Sequence, residues 1–465
     1  MRTDVAIIGA GTAGLAAERS ARRAGARTLL IDESFNGTTC ANVGCMPSKL
    51  LIAAANAADA VRRSAAFGIR AVRAVDGPAV MVRLRAERDA FARATRDEIG
   101  RLPNGVAIRG RAHFVDRATL ELNDGRRIEA GSVVIATGSC PAVPGSFESI
   151  QDRVLTNESL FEIEDLPRSL AVVGAGPLGL ELAQALSRLD VSVTVFAEDR
   201  KLAGIEDETL VECMSAVFER DFDLHLGVRL RSHRVGHQVC VQWEGESSGE
   251  RLFDCLLVAA GRPPSLKSLR LEAAGLALDK RGVPVFDRTT LQCGEGAIFI
   301  AGDAAADRPV LHEASMEGAL AGYNAASYPK VTSTHRSPKF SIMFTDPPLA
   351  LIGEHSGASL IRGESDYRHQ GRARVEARAQ GLACIYADRT NARVKGAALF
   401  CPGADHLSHL LAWAIEDELD ATALLDRPFY HPTFEEGLKP ALRQICARVG
   451  AASPSSRDEG AASGA

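Results

Sequence analysis

The sequence predicts an α/β protein built from two Rossmann-like units followed by a separate C-terminal α+β domain, and three observations lead there. The stretch VAIIGAGTAGL, starting at Val5, returns as LAVVGAGPLGL from Leu170, each time as a short apolar run opening into Gly-x-Gly-x-x-Gly. After Pro329 the pattern changes to short strand-like runs and a helical run. The chain has 465 residues, of which 46% are apolar. That is more than one core organises, at roughly 100–200 residues per domain.

In chain order, the first apolar run meets Gly9, Gly11 and Gly14. Glycines at this spacing permit a tight strand-to-helix turn and close helix–strand packing, and they let the backbone and helix N–H groups approach a pyrophosphate. An alanine-rich helical pattern follows, then the strand-like RTLLID ending at Asp32, where a carboxylate accepts hydrogen bonds from an adenosine ribose. Next comes FNGTTCANVGCMPSKLL, which sets Cys40 and Cys45 at the head of a helical pattern. A helix N-terminus favours the thiolate, so this spacing reads as a reactive pair. Two other readings are a zinc site, which would want a second Cys/His pair suitably spaced nearby, and two inert buried thiols. The other eight of the ten cysteines are scattered without framework spacing.

The first unit closes on SVVIATGSCPAVPG, with Thr137 and Gly138 at the strand end. The second repeats the plan with Gly174, Gly176 and Gly179, the strand-like VSVTVF, and the closing CLLVAAGRPPSL with Gly261. Where the first unit has Asp32 the second has Ala197, with Glu198 one place on and Arg200 and Lys201 behind it. Such a site suits a ribose 2′-hydroxyl and also tolerates a 2′-phosphate. A third apolar strand, AIFIAGDAAA, places Asp303 where a carboxylate meets ribityl or ribose hydroxyls. The expected division is 1–149 and 261–335 for the first domain, 150–260 for the second, 336–450 for the third, and a disordered tail over 451–465, whose residues are small and polar.

Acidic and basic residues nearly balance, 59 against 54, with no long basic block, so nothing draws the chain to nucleic acid or anionic lipid. No stretch reaches the ~18–20 apolar residues of a membrane span, and the N-terminal apolar run is too short for a signal peptide. A cytoplasmic protein without a metal site is expected.

The segment GTTCANVGCMPSK resembles the redox-active motif of the flavin-dependent pyridine nucleotide–disulfide oxidoreductases. Both glycine motifs, ATGSCPAVPG, AAGRPP, IFIAGD and HPTFEE agree with it, over about residues 3 to 447. The resemblance implies tightly but non-covalently bound FAD, a nicotinamide nucleotide (NAD expected, NADP the alternative), and a C-terminal dimerisation domain. It implies that Cys45 is the thiol next to the flavin and Cys40 the interchange thiol. Lys49 and Glu181 match the ion pair beside the flavin N5, and Asp303 matches an FAD contact. His431 and Glu436 match the base and its orienting carboxylate. The homodimer's two active sites would each be shared between chains, Cys40 and Cys45 working with the other chain's His431.

Ser48-Lys49 and His431 make dihydrolipoamide dehydrogenase the member most resembled, with a small disulfide or a lipoyl-protein as substrate. The alternatives are reduction of another disulfide, such as glutathione disulfide, or of mercuric ion. Reductases of mercuric ion add a C-terminal vicinal cysteine pair, which this chain does not have. A non-enzymatic flavin redox sensor would not need a dithiol and a base together. Departures from the family pattern are Thr38 for a glycine, Ala41 for a larger apolar residue, TDPP over 345–348, and Phe429 for a frequent histidine.

Overall fold

The apolar run before Gly9 forms strand Arg2–Ile8, buried continuously from Val5, inside a seven-stranded sheet. It pairs in parallel with Thr28–Asp32 on one side and Arg127–Ile135 on the other. Ala107–Arg109 extends the sheet in parallel, and Ala112–Phe114 and Thr119–Leu122 add an antiparallel flap. The chain then leaves and returns to lay Ile298–Ile300 in parallel against the end of Arg127–Ile135. Runs rich in Val, Ile and Leu suit strands covered on both faces. The computed structural model describes residues 1–451, so 452–465 of the expected tail lie outside the described residues.

A second, all-parallel sheet runs in the order Asp223–His225, Ser192–Phe196, Ser169–Val173, Cys255–Val258, Val154–Leu155. The antiparallel strands Val228–Val235, Gln238–Gly245 and Gly249–Phe253 cover it through a core that includes Phe196, Val239, Val241 and Phe253. The third sheet is antiparallel, ordered Phe340–Met343, Leu349–Gly353, Val394–Phe400, Leu382–Asp388, Leu360–Asp366. Helices Ala404–Glu416 and Lys439–Val449 share its core.

Two contacts position the site. Helix Thr12–Arg23, which starts in the first glycine motif, lies against Leu311–Ser327 so closely that a Cβ on Gly318 or Gly322 would fall 2.2 Å from the carbonyl oxygen of Ala13 or Ala17. The second contact is an arginine–aspartate hub between helix Cys45–Arg63, helix Pro177–Arg188 and the TDPP segment. Buried Asp346 is bonded by Arg188 (3.1 Å) and Arg378 (2.9 Å), and Arg188 also reaches Asp221 (3.1 Å). Gln184 donates to the carbonyl of Asp346 and accepts from its N–H. Burial pushes the Asp346 carboxyl up, but Arg188, Arg378 and Arg63 outweigh it and hold the group below the usual carboxylate value. This departure from the family pattern is therefore a buried anion with three cations around it. Among the described residues no helix is long and apolar enough to cross a membrane.

Candidate active site

Cys40 and Cys45 sit on consecutive helices, Thr39–Asn42 and Cys45–Arg63. Thr38 caps the first, its hydroxyl accepting from the N–H of Ala41, so a hydroxyl at this glycine position ends one chain direction and starts the next. Cys45 is the first residue of the longer helix, and Gly44 offers no side-chain cap. The Cys40 thiol hydrogen-bonds to Cys45, and Lys49 lies one turn on; together they outweigh burial and push the Cys45 thiol down to about 6. The same hydrogen bond, with burial, moves Cys40 far above the thiol range. The pair therefore divides into a thiolate at Cys45 and a thiol at Cys40.

Lys49 Nζ bonds both carboxylate oxygens of Glu181, at 3.0 and 2.8 Å. Glu181 is buried and also accepts from the N–H of Phe344 at 2.7 Å, while the Phe344 ring lies 4.6 Å from the ammonium. Three segments of the chain thus converge on one cation. Phe344 carried no signal in the sequence, since its role rests on its backbone N–H and on where its ring ends up.

The two glycine motifs are built alike. A Cβ on Gly9 would meet the Ala136 oxygen at 2.3 Å and one on Gly14 the Gly9 oxygen at 1.8 Å; for Gly174 and Gly179 the partners are the oxygens of Ala259 (2.6 Å) and Gly174 (2.2 Å). The middle glycines, Gly11 and Gly176, differ: a Cβ there would meet nothing within 4 Å. Each cradle thus keeps open space at the mouth of a helix whose first turn lacks a side-chain cap.

In the first cradle Asp32 is oriented by the N–H groups of Ala10 (2.9 Å), Ser34 (2.9 Å) and Phe35 (2.8 Å), which leaves capacity for a ribose hydroxyl. The hydroxyl of Thr137 is buried with no hydrogen-bond partner, and Asp303 accepts from Ser139 at 2.7 Å. An open pyrophosphate cradle, a ribose acid and an orphaned hydroxyl fit the adenine dinucleotide portion of FAD.

The second cradle opens into a cavity of 590 Å³ lined by Gly174, Gly176, Glu198, Gly261, Arg262 and Asn157, among others. Glu198 is exposed there, whereas the two cations behind it are engaged: Arg200 pairs with Glu246, and Lys201 with Glu206 at 2.5 Å.

His431 Nδ1 lies 3.1 and 3.2 Å from the two carboxylate oxygens of Glu436, and the N–H of Thr433 also donates to that carboxylate. Glu436 is buried, whereas the His431 side chain is 63% exposed. With Nδ1–H donating to Glu436, Nε2 is the free, basic nitrogen. Among the described residues no hydrogen bond or ion pair joins His431 to a cysteine of its own chain. The structure thus brings together Cys40 with Cys45, Lys49 with Glu181, and His431 with Glu436, and among the described residues no hydrogen bond or ion pair links the last pair to the first two. No group of three or more His, Cys, Asp or Glu among the described residues is placed to hold a metal ion.

Residues 3–319 match the family model described as pyridine nucleotide-disulphide oxidoreductase, and 340–442 match the dimerisation domain of that family. A mercuric reductase of Acidithiobacillus ferrooxidans is 33% identical over 94% of this chain and 81% of its own length. A dihydrolipoyl dehydrogenase of Haloferax volcanii is 32% identical over 94% of this chain and 95% of its own. Among solved structures, the Cu(II) complex of the HOCl-induced flavoprotein disulfide reductase RclA from Escherichia coli superposes with a TM-score of 0.81 at 25% identity, covering 96% of this chain and all of that one.

Proposed function

The chain belongs to the pyridine nucleotide-disulphide oxidoreductase family, and from that membership we propose that it is a dihydrolipoyl dehydrogenase-like enzyme, passing electrons from a small dithiol through Cys40 and Cys45 to FAD and NAD. The observation that carries this reading is the polarised thiol pair, thiolate at Cys45 and thiol at Cys40, beside the Lys49–Glu181 ion pair. Residues 1–149 with 261–335 hold the flavin, 150–260 the nicotinamide nucleotide, and 336–450 form the dimer contact.

Bound in the first cradle, FAD supplies the two-electron relay between dithiol and nicotinamide. The chain's own residues do the rest. His431 of the partner subunit takes the proton of a substrate thiol at Nε2, its tautomer set by the carboxylate behind it. The substrate thiolate attacks Sγ of Cys40 in the oxidised pair, and the Cys40–Cys45 bond breaks with its electrons going to Cys45. The second substrate thiol loses its proton and attacks the mixed disulfide. This closes the substrate disulfide and releases the Cys40 sulfur, which takes up a proton. Lys49 holds positive charge beside the Cys45 thiolate.

For the nucleotide, the free carboxylate is at Glu198, while Arg200 and Lys201 are spent on Glu246 and Glu206. A 2′-phosphate would meet the Glu198 carboxylate and would have to draw Arg200 or Lys201 out of an ion pair, which supports NAD. The near balance of acidic and basic residues, 59 against 54, and the reactive thiols suit a reducing cytoplasm. A second reading, reduction of mercuric ion, is favoured by the likeness to a mercuric reductase. Assay of the purified flavoenzyme with dihydrolipoamide, glutathione disulfide and mercuric ion, each with both nucleotides, separates the readings. The expected result is the highest kcat/KM with dihydrolipoamide, and roughly tenfold or more preference for NAD over NADP. A higher value for mercuric ion would replace this reading with the second.

A further inference from the structure

Between the two cysteines lies a backbone carbonyl, that of Val43, held by a side chain from elsewhere in the chain. Asn157 Nδ2 donates to it at 2.7 Å. Asn157 is only 3% exposed, and its own oxygen accepts from Arg262 Nη1 at 2.8 Å. Arg262 continues to the carbonyl of Ser139 (2.8 Å) and to its hydroxyl (3.3 Å), and that hydroxyl donates to Asp303. Both Asn157 and Arg262 line the 590 Å³ cavity at the second glycine motif. Two side chains therefore span the distance between the wall of the nucleotide cavity and the peptide that precedes the reactive thiol. None of the cysteines, the ion pair or the histidine takes part in this connection.

We propose that Asn157 is a positioning residue that ties occupancy of the nucleotide cavity to the geometry of the Cys40–Cys45 pair. This rests on the disulfide-oxidoreductase reading above. The Val43 carbonyl belongs to the peptide joining Val43 to Gly44, and Gly44 leads directly into Cys45 at the helix start. Rotation of that peptide moves Cys45 relative to the Cys40 thiol. Asn157 has one amide with which to hold this peptide and to answer Arg262. A nucleotide that draws Arg262 toward its phosphates or its nicotinamide amide therefore pulls on the Val43 peptide through Asn157. A buried amide with both ends engaged transmits such a shift, because releasing either end leaves a polar group buried and unpaired.

The test uses the full-length flavoprotein carrying Cys40→Ser, in which Cys45 is unpaired and NAD+ binds to oxidised enzyme without electron transfer. The pH midpoint of the long-wavelength absorbance from the Cys45 thiolate to flavin is read with and without saturating NAD+. The expected result is a midpoint shift on the order of half a pH unit, a roughly threefold change in thiolate-to-thiol ratio. Adding Asn157→Leu abolishes the shift, read at an NAD+ concentration shown to saturate that variant and on protein of full flavin content. Asn157→Asp keeps the size and the contact with Arg262 but loses the donor to Val43, and it abolishes the shift as well, which covers the case in which the leucine variant does not fold. No shift with Asn157 in place, or a shift that survives either substitution, overturns the inference. A Cys40→Ser protein with no thiolate band at any pH instead overturns the parent reading of Cys45 as the thiol beside the flavin.

Discussion

Cys45 is a thiol held away from its ordinary pKa by two neighbours of different kinds. A hydrogen bond from Cys40 is the larger influence, and the Lys49 charge adds to it against the opposing pull of burial. The sign follows directly. A group whose folded pKa is depressed contributes stability above its unfolded value, 9.0 for this thiol, and loses it as pH falls through the folded value of about 6. Cys40→Ser retains a hydroxyl donor, so its thiolate-to-flavin band should titrate with a midpoint near 6. Cys40→Ala removes the donor and should move the midpoint up, toward that of a free thiol. Absorbance against pH decides the matter, and a midpoint near 9 in the serine variant would refute the hydrogen-bond account. In Cys45→Ser the band should be absent at every pH. The position of the two thiols was legible from spacing, and their division into a flavin-side thiol at Cys45 and an interchange thiol at Cys40 only from the family resemblance; spacing could not say which sulfur meets Lys49 and which donates.

The element that opens the first glycine motif, helix Thr12–Arg23, is held by a neighbour from the far end of the first domain. Gly318 and Gly322, spaced one turn apart on Leu311–Ser327, let that helix approach the Ala13 and Ala17 carbonyls. The contact lies near the mouth of the first cradle, since Gly302 would also meet Ala13 if it carried a side chain. Gly318→Ala should separate the helices, lower stability by about 1–3 kcal/mol and weaken flavin retention. Flavin released per chain on dialysis, together with thermal unfolding, measures both. Unchanged flavin retention in a destabilised protein would show that the helix contact is structural only. The nearest signal in the sequence is the pair of glycines inside an otherwise helical pattern, which says that something approaches closely without saying what.

Among the described residues no hydrogen bond or ion pair joins His431 or Glu436 to the thiols of their own chain, and the region matching the family's dimerisation domain carries both. Sharing of sites between subunits predicts a specific complementation. Inactive Cys45→Ser and inactive His431→Ala proteins, mixed under subunit exchange, form heterodimers with one doubly defective site and one intact site. If about half the dimers are mixed, about a quarter of wild-type activity should return. Proven heterodimers without recovery would mean that His431 serves its own chain's cysteines or is not the base. Within the chain, Arg188 bonds Asp346 and Asp221 and so ties helix Pro177–Arg188, which carries Glu181, to two other segments.

Legible in the sequence were the two dinucleotide folds, the spacing of the candidate cysteine pair and, through the family resemblance, the pairing of His431 with Glu436. These are local matters: a glycine is demanded where backbone meets backbone within one turn, and the thiols are five positions apart along one stretch of chain. His431 and Glu436 are as near in sequence as in space. Only the tertiary structure decided the rest. Asn157 reaches Val43 from 114 positions away, the N–H of Phe344 reaches Glu181 from 163 away, and Arg200 and Lys201 pair with Glu246 and Glu206; the Lys49–Glu181 contact across 132 positions was expected only through the family resemblance. A side chain's residue type states what bond it can make. Which partner it gets depends on packing of distant segments, where a hydrogen bond is lost within an ångström or so of misplacement, and no local pattern carries that distance.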